Sequence, residues 1–177
     1  IETVEGNSGD KDAHHTYKKS DLTGDLGNGT IFRVEYPDAE GTVYGYLVNK
    51  LFLQPSAAVG VVAAITRTTN FNTAREVKTQ NGTLRGICLW DEGRWDRYVR
   101  YCESTGYELS SLMGQMYFMG FELESYYPSL KNALKSVPAS KQGAYQAAWE
   151  WLEIYQENSS TNTCSMIATL AADIYWP

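Results

Sequence analysis

The segment SAAVGVVAAITRT, residues 56–68, most narrows what this chain can fold into. Its small, apolar residues leave little polar surface, so a helix formed here has to be covered by neighbouring elements. The preceding Gln54-Pro55-Ser56 ends one helix and provides a start signal for this one. The segment therefore predicts a buried, tightly packed central helix within a mainly α fold.

Helical spacing of apolar residues recurs through most of the remaining chain. Pro37 and Asp38 form a plausible helix start ahead of AEGTVYGYLVNKLFL, which predicts a helix from Ala39 to Leu53. Further helices are expected around Trp95–Cys102, Leu109–Leu123, Ser140–Tyr155 and Met166–Ile174. Between them Asn81-Gly82 is a strong turn signal, which predicts a long loop or a short β-hairpin.

The first forty residues have a different character. They are rich in Gly, Asp, Asn, Ser and Thr and carry two β-prone runs, IETV and TIFRVEY. Strand and loop are expected here, with a disordered polar hinge between roughly Asp10 and Thr30. We therefore divide the chain into a short β and loop segment, residues 1–36, and a helical domain, residues 37–177.

Charge and composition exclude several classes of function. The 177 residues carry a formal net charge of -6, which argues against nucleic acid as a partner. No apolar run is long enough for a membrane span, and no signal peptide is recognised at the start, so no membrane partner is expected. The first residue is Ile, which suggests a piece of a longer protein.

Three cysteines, an odd number without short paired spacing, fit neither a disulfide framework nor a zinc site. Free, buried thiols are expected at Cys88, Cys102 and Cys164. A nucleophilic pair of a cysteine with His14 or His15 lacks any local signature. No metal and no cofactor is predicted.

Three blocks in the helical domain carry a resemblance. They contain Gly60, Asn70, Phe71 and Asn72, then Gly86, Ile87, Trp90, Asp91 and Arg94, then Gln115, Glu122 and Leu123. In order and spacing these blocks resemble the phage tail and endolysin lysozyme-like family, which is similar to goose-type lysozymes and lytic transglycosylases. The resemblance runs from about Ala39 to the C-terminal residue. It implies a lysozyme-like helical domain with a glycan groove between two lobes.

The resemblance fails at the position that carries the chemistry. In the family the second helix ends in a Glu that acts as general acid, and Thr68 stands at that position here. Glycosidic cleavage needs a proton delivered to the leaving oxygen, which a threonine hydroxyl cannot supply. Leu89 also replaces a usual Gln, and Ala63-Ala64 replaces a Gly-Asn pair. The resemblance thus implies a lysozyme scaffold without its catalytic acid.

A displaced carboxylate is the alternative. Glu76 lies in the middle stretch, and Asp91, Glu92 and Asp96 lie where a helix begins. Acidic residues at such a position favour the N-terminal end of the helix dipole, so capping and solvation explain them. An active peptidoglycan glycosidase that uses one of these carboxylates remains open.

The opening IETVEGNSGD is similar to the last strands of CHAP-type amidase and peptidase domains. By that resemblance Glu5 and Asn7 match residues that orient a catalytic histidine. No Cys or His precedes Glu5, so the chain cannot do this thiol chemistry alone. A strand that enters a Gly-rich turn explains the same letters.

Together the resemblances imply part of a phage endolysin that acts on the bacterial cell wall. Its helical domain would bind wall glycan or peptidoglycan without cutting it and would hold an upstream CHAP hydrolase on the wall. The acidic net charge favours a neutral sugar or a specific peptide-glycan unit over anionic polymers. A docking domain for another lysin subunit or a tail protein is a further possibility.

The 13 Tyr and 5 Trp offer flat faces on which sugar rings stack. The residues expected to bind the ligand are Thr68, Asn70, Asn72, Trp90, Arg94, Tyr126 and Tyr127. Trp90 also fits a core anchor, and Arg94 fits an ion pair with Asp91 or Asp96. Met113, Met116 and Met119 are expected to be packing residues.

Overall fold

The computed structural model of the protein describes residues 2–5, 13–16, 38–158 and 160–175. Two compact units divide the chain, residues 1–42 and 43–177. In the first unit, strands β1 (Glu2–Glu5) and β2 (Ala13–Thr16) pair antiparallel with Glu2 opposite Thr16. The strand predicted at IETV is confirmed. The strand β2 lies within the stretch expected to be a disordered hinge, and TIFRVEY lies outside the described residues.

The fold is mainly α, as predicted. Its helices are α1 (Ala39–Asn49), α2 (Pro55–Thr69), α3 (Glu92–Thr105), α4 (Leu112–Ser125), α5 (Pro128–Ser136), α6 (Lys141–Glu150) and α7 (Thr161–Ile174). A π-helical turn, Trp151–Tyr155, continues α6 without a break. Among these helices none is both long and apolar enough to cross a membrane.

The central helix is α2, which packs against α6, α7 and the π-helical turn. Its residues Ala57, Val61 and Ile65 have no exposed surface, so the predicted burial is confirmed. A Cβ atom at Gly60 would lie 2.7 Å from both the Ala144 carbonyl oxygen and the Ala148 nitrogen. Glycine at this position therefore lets the backbones of α2 and α6 approach each other closely.

The C-terminal end of α1 and the capping of α2 differ from the predictions. Helix α1 ends at Asn49 instead of Leu53, and Phe52 has a left-handed backbone with φ 57°. At this turn Phe52 is exposed, while Leu51 and Leu53 on either side are buried. Ser56 does not cap α2; its hydroxyl donates to the Pro138 carbonyl oxygen at 2.9 Å.

The turn signal at Asn81-Gly82 forms the hairpin of strands β3 (Glu76–Thr79) and β4 (Gly82–Arg85). The strands pair antiparallel with Thr79 opposite Gly82, where φ is 129°. The three cysteines are free and buried, as predicted. Met116 and Met119 are buried in the core, which confirms their packing role.

Candidate functional site

A buried ion pair lies between α3 and α4. The Arg94 Nε atom donates to Glu122 Oε1 at 3.0 Å, and Nη2 donates to Glu122 Oε2 at 2.7 Å. Oε2 also accepts from Trp90 Nε1 and from the Tyr155 hydroxyl, each at 2.7 Å. The Glu122 side chain is therefore enclosed by donors and has no exposed surface.

This ion pair joins three elements. Arg94 Nη1 donates to the Tyr155 carbonyl oxygen at 2.6 Å, so the π-helical turn is tied to α3 and α4. Burial has the largest single effect and lowers the pKa of Arg94, but the hydrogen bonds to Glu122 and the nearby Tyr155, Glu122 and Tyr127 groups together raise it more, so the net pKa lies above its ordinary value. Both oxygens of Glu122 already accept hydrogen bonds. We therefore assign this ion pair a structural role, as a tie between the three elements.

Trp90 and Arg94, both expected to bind the ligand, belong to this buried cluster. Trp90 has no exposed surface and stacks on Tyr98 with ring centroids 5.6 Å apart, while Arg94 is 5% exposed. Their burial argues against direct contact with a glycan. Arg94 pairs with Glu122 and not with Asp91 or Asp96; the Asp91 carboxylate caps α3 by accepting from the Arg94 backbone N–H.

Thr68 lies in the last turn of α2 and is half-buried. Its hydroxyl donates to the Ala64 carbonyl oxygen at 2.8 Å. The Gln156 side chain approaches from another element, and its Nε2 atom donates to Thr68 Oγ1 at 3.4 Å. The position at which the resemblance implies an acid therefore holds a hydroxyl and an amide.

Sequence reasoning missed Gln156. It lies 88 residues from Thr68 and carries no local motif. The π-helical turn places it, because its backbone N–H bonds to the Trp151 carbonyl oxygen, five residues back, at 3.0 Å. Such turns insert a residue into a helix and change which side chains face inward.

The backbone after α2 is strained in a way that turns polar groups outward. Asn70 and Phe71 both have left-handed conformations, with φ 50° and 55°. Asn70 tolerates this conformation well, whereas for Phe71 it is uncommon. Phe71 is buried, Asn70 and Asn72 are exposed, and the Asn72 side chain accepts from the Ala74 N–H at 3.0 Å. The structure thus brings Asn70 and Asn72 to the surface next to Thr68 in sequence.

Gln115 holds the loops around this strained segment. Its Oε1 atom accepts from the Ile87 N–H at 2.9 Å, and its Nε2 atom donates to the Thr73 and Leu109 carbonyl oxygens. Gly86 has φ 73°, and a Cβ there would lie 2.8 Å from Gln115 Oε1. Several residues that carry the family resemblance therefore build the frame of the site.

The two candidate tyrosines differ in exposure. Tyr126 is 53% exposed, and the Arg97 guanidinium lies 5.2 Å from the centre of its ring. Tyr127 is half-buried and meets the Tyr155 ring edge-on at 5.2 Å. Burial raises the pKa of Tyr127 above its ordinary value.

The candidate displaced carboxylates are all on the surface. Glu76 pairs with Arg85 at 3.1 Å, Asp91 caps α3, and Glu92 and Asp96 are exposed. Among the described residues, no three His, Cys, Asp or Glu side chains come together to hold a metal ion. Of the two positions that resemble CHAP domains, Glu5 ends β1, and Asn7 lies outside the described ranges.

Comparison with known proteins gives one match. A family model described as phage tail lysozyme matches residues 38–176. Among curated proteins and among solved structures nothing matches the chain. The matched span includes helices α1–α7 and the hairpin, and it excludes β1 and β2.

Proposed function

The chain belongs to the phage tail lysozyme family, and from this membership we propose that its helical domain binds cell-wall glycan without cleaving it. Family membership gives the chain a lysozyme-like, peptidoglycan-related function. Family membership alone does not decide whether the domain cleaves its ligand. That depends on the residue that occupies the position of the general acid.

Thr68 is the observation that carries this step. Its hydroxyl is bonded to its own helix through Ala64, and the side chain that reaches it, Gln156, is an amide. Neither group has a proton acidic enough to assist the departure of a sugar oxygen near neutral pH. Glu122, a fully buried carboxylate, is occupied by Arg94 and its other donors. These contacts support a site without a general acid.

Binding does not need the acid. Ground-state contacts with a polymer and stabilisation of the transition state depend on different interactions, so losing the second leaves much of the first. The groups proposed to contact the glycan are Thr68, Asn70, Asn72, Tyr126 and Tyr127. We add Gln156 to this proposal because its side chain contacts Thr68. They offer hydroxyls, amides and aromatic rings, which suit a neutral sugar.

We also propose an upstream CHAP-type hydrolase as the partner, within a phage endolysin that acts on the bacterial wall. Its support is the short resemblance at Glu5 and Asn7. A bound helical domain would raise the local concentration of such a hydrolase at its substrate, which is the usual gain from linking two modules. The catalytic cysteine and histidine would come from that domain.

The direct test incubates the purified chain with walls from several Gram-positive bacteria and follows both co-sedimentation and the release of reducing ends. We expect sedimentation without release. Thr68→Glu should produce reducing ends, because it places a carboxylic acid beside the Gln156 amide. Thr68→Gln is the matched control, with similar size and no acidic proton, and should release none.

Release of reducing ends by the unchanged chain would overturn the proposal and favour the displaced-carboxylate alternative. In that case the release of reducing ends is measured for Glu76→Gln and for Asp91→Asn, and the substitution that abolishes it identifies the acid. Asn at position 91 still caps the helix, so a loss of activity there would reflect chemistry and not unfolding.

A further inference from the structure

We propose that the outer face of α6 and the π-helical turn is a second glycan-binding surface, on which sugar rings pack against Tyr145 and Trp149. The inference depends on the proposed function for the nature of its ligand, a wall glycan. It uses none of the residues around Thr68. The two surfaces can therefore be tested separately.

The rings of Tyr145 and Trp149 lie next to each other in a near-parallel, stacked arrangement. Their ring centroids are 6.2 Å apart, and the ring planes differ by 18°. Both side chains are partly buried against a cluster of alanines from α2, α6 and α7, so their orientation is fixed by packing. Rigid aromatic faces that stay partly exposed are suited to stacking because little conformational entropy is lost on binding.

A cavity of about 360 Å³ lies on one side of Trp149 and is lined by Gln142, Tyr145, Gln146 and Glu150. Gln146 Nε2 donates to Glu150 Oε1 at 2.9 Å. The other carboxylate oxygen, Glu150 Oε2, is buried and accepts no hydrogen bond from the residues that the structure describes. A buried acceptor without a partner is uncommon in folded proteins and marks a place where a donor would be favoured.

A second cavity, of about 230 Å³, shares Trp149 as a wall. Its other lining residues are Glu153, Glu157, Asn158, Thr161 and Cys164. The indole N–H of Trp149 donates to Glu153 Oε2 at 3.0 Å, which fixes the ring between the two cavities. The two cavities are therefore adjacent, one on each side of Trp149, and we refer to them together as the track.

The charges along this track select the ligand. Glu150, Glu153 and Glu157 line it, and neither cavity has a Lys or Arg among its lining residues. Carboxylates accept strong hydrogen bonds from hydroxyl, amide and ammonium groups and repel anions. The expected ligand is a glycan of neutral, N-acetylated amino sugars and not an anionic polymer.

The test uses a soluble hexamer of N-acetylglucosamine and follows the indole N–H signals of the unchanged full chain by NMR. The Trp149 signal, assigned with Trp149→Phe, should shift on titration, whereas that of the buried Trp151 should not. Trp149→Leu should weaken binding about tenfold or more. Phe52→Leu, which removes an exposed aromatic ring outside both cavities, should leave it unchanged. An oligomer of galacturonate, which is anionic, should not shift the Trp149 signal.

An unshifted Trp149 signal at saturating hexamer would overturn the inference, and equal binding of the galacturonate oligomer would overturn the ligand class. The titration of the unchanged chain keeps the test decisive if Trp149→Leu does not fold. Failure here is distinguishable from failure of the proposed function. If walls still sediment the chain and Trp149→Leu sediments equally well, only the second surface is excluded. If walls do not sediment the chain, the wall-binding proposal fails.

Discussion

At the scale of single residues, Glu122 is expected to be important for stability. Glu122→Gln leaves Arg94 buried without its counter-charge, because the guanidinium is enclosed by protein. Breaking a buried pair in this way costs about 3–5 kcal/mol of unfolding free energy. The matched substitution Glu124→Gln removes a surface pair with Lys131 and should cost less than about 1 kcal/mol. Urea unfolding measures both, and equal small losses would show that the buried pair is not the structural tie inferred above.

Buried thiols and phenols predict a loss of stability in alkali. Burial raises the pKa of the Cys88 thiol and the pKa of the Tyr155 hydroxyl well above their ordinary values. In the unfolded chain a cysteine ionises near pH 8.5 and a tyrosine near pH 10. The folded state then holds more protons than the unfolded state, so stability is full below about pH 8.5 and falls as the pH rises further.

Cys88→Ala isolates one of these groups. Each group that ionises only in the unfolded chain lowers the unfolding free energy by about 1.4 kcal/mol per pH unit. The variant should therefore show a shallower decline between about pH 9 and pH 10.5 than the unchanged chain. The slope is the measurement, because the substitution also changes packing. Parallel profiles would contradict a protonated Cys88 in the folded state.

At the scale of elements, the close contact of α2 with α6 sets a sharp requirement at Gly60. Gly60→Ala places a methyl group 2.7 Å from backbone atoms of α6, which cannot rotate away. We expect a cost of about 1–3 kcal/mol despite the better helix propensity of alanine. Gly93→Ala in α3 is the control, since its Cβ meets only Asp91 Oδ1 at 3.5 Å. Thermal unfolding should show a lower Tm for the first variant and an equal or higher Tm for the second.

Local patterns predicted the elements whose causes are local. The small, apolar residues of α2 and the Asn81-Gly82 turn of the hairpin each identify their structure without tertiary information. Helix α5 was not predicted, although Pro128 stands in its first turn and is a start signal. The π-helical turn has no such signal. It is stabilised by the long-range contacts of Tyr155 with Glu122 and Arg94.

Within the whole molecule, the site combines what the sequence shows with what only the fold brings together. Thr68 was identified from its place in a motif, and the structure adds its contact with Gln156. Trp90 and Arg94 were expected at a groove because the same motif contains them, yet they form a buried support. A motif marks positions that belong to one site. It does not separate side chains that face a ligand from those that hold the frame.

The net charge of the chain determines how much electrostatic attraction contributes to its binding to cell walls. With a formal charge of -6 and three carboxylates along the track beside Trp149, the chain gains nothing from general attraction to anionic wall polymers.

Recognition through stacking and hydrogen bonds is weakly screened by salt, whereas attraction between exposed charges falls steeply as the Debye length shortens. We therefore expect the chain's affinity for walls to change less than about twofold between roughly 50 and 500 mM NaCl. Sedimentation with walls at increasing salt measures this, with a basic protein such as a polylysine-tagged carrier as the salt-sensitive control. A steep loss of binding in that range would show that charge attraction, and not sugar recognition, holds the chain on the wall.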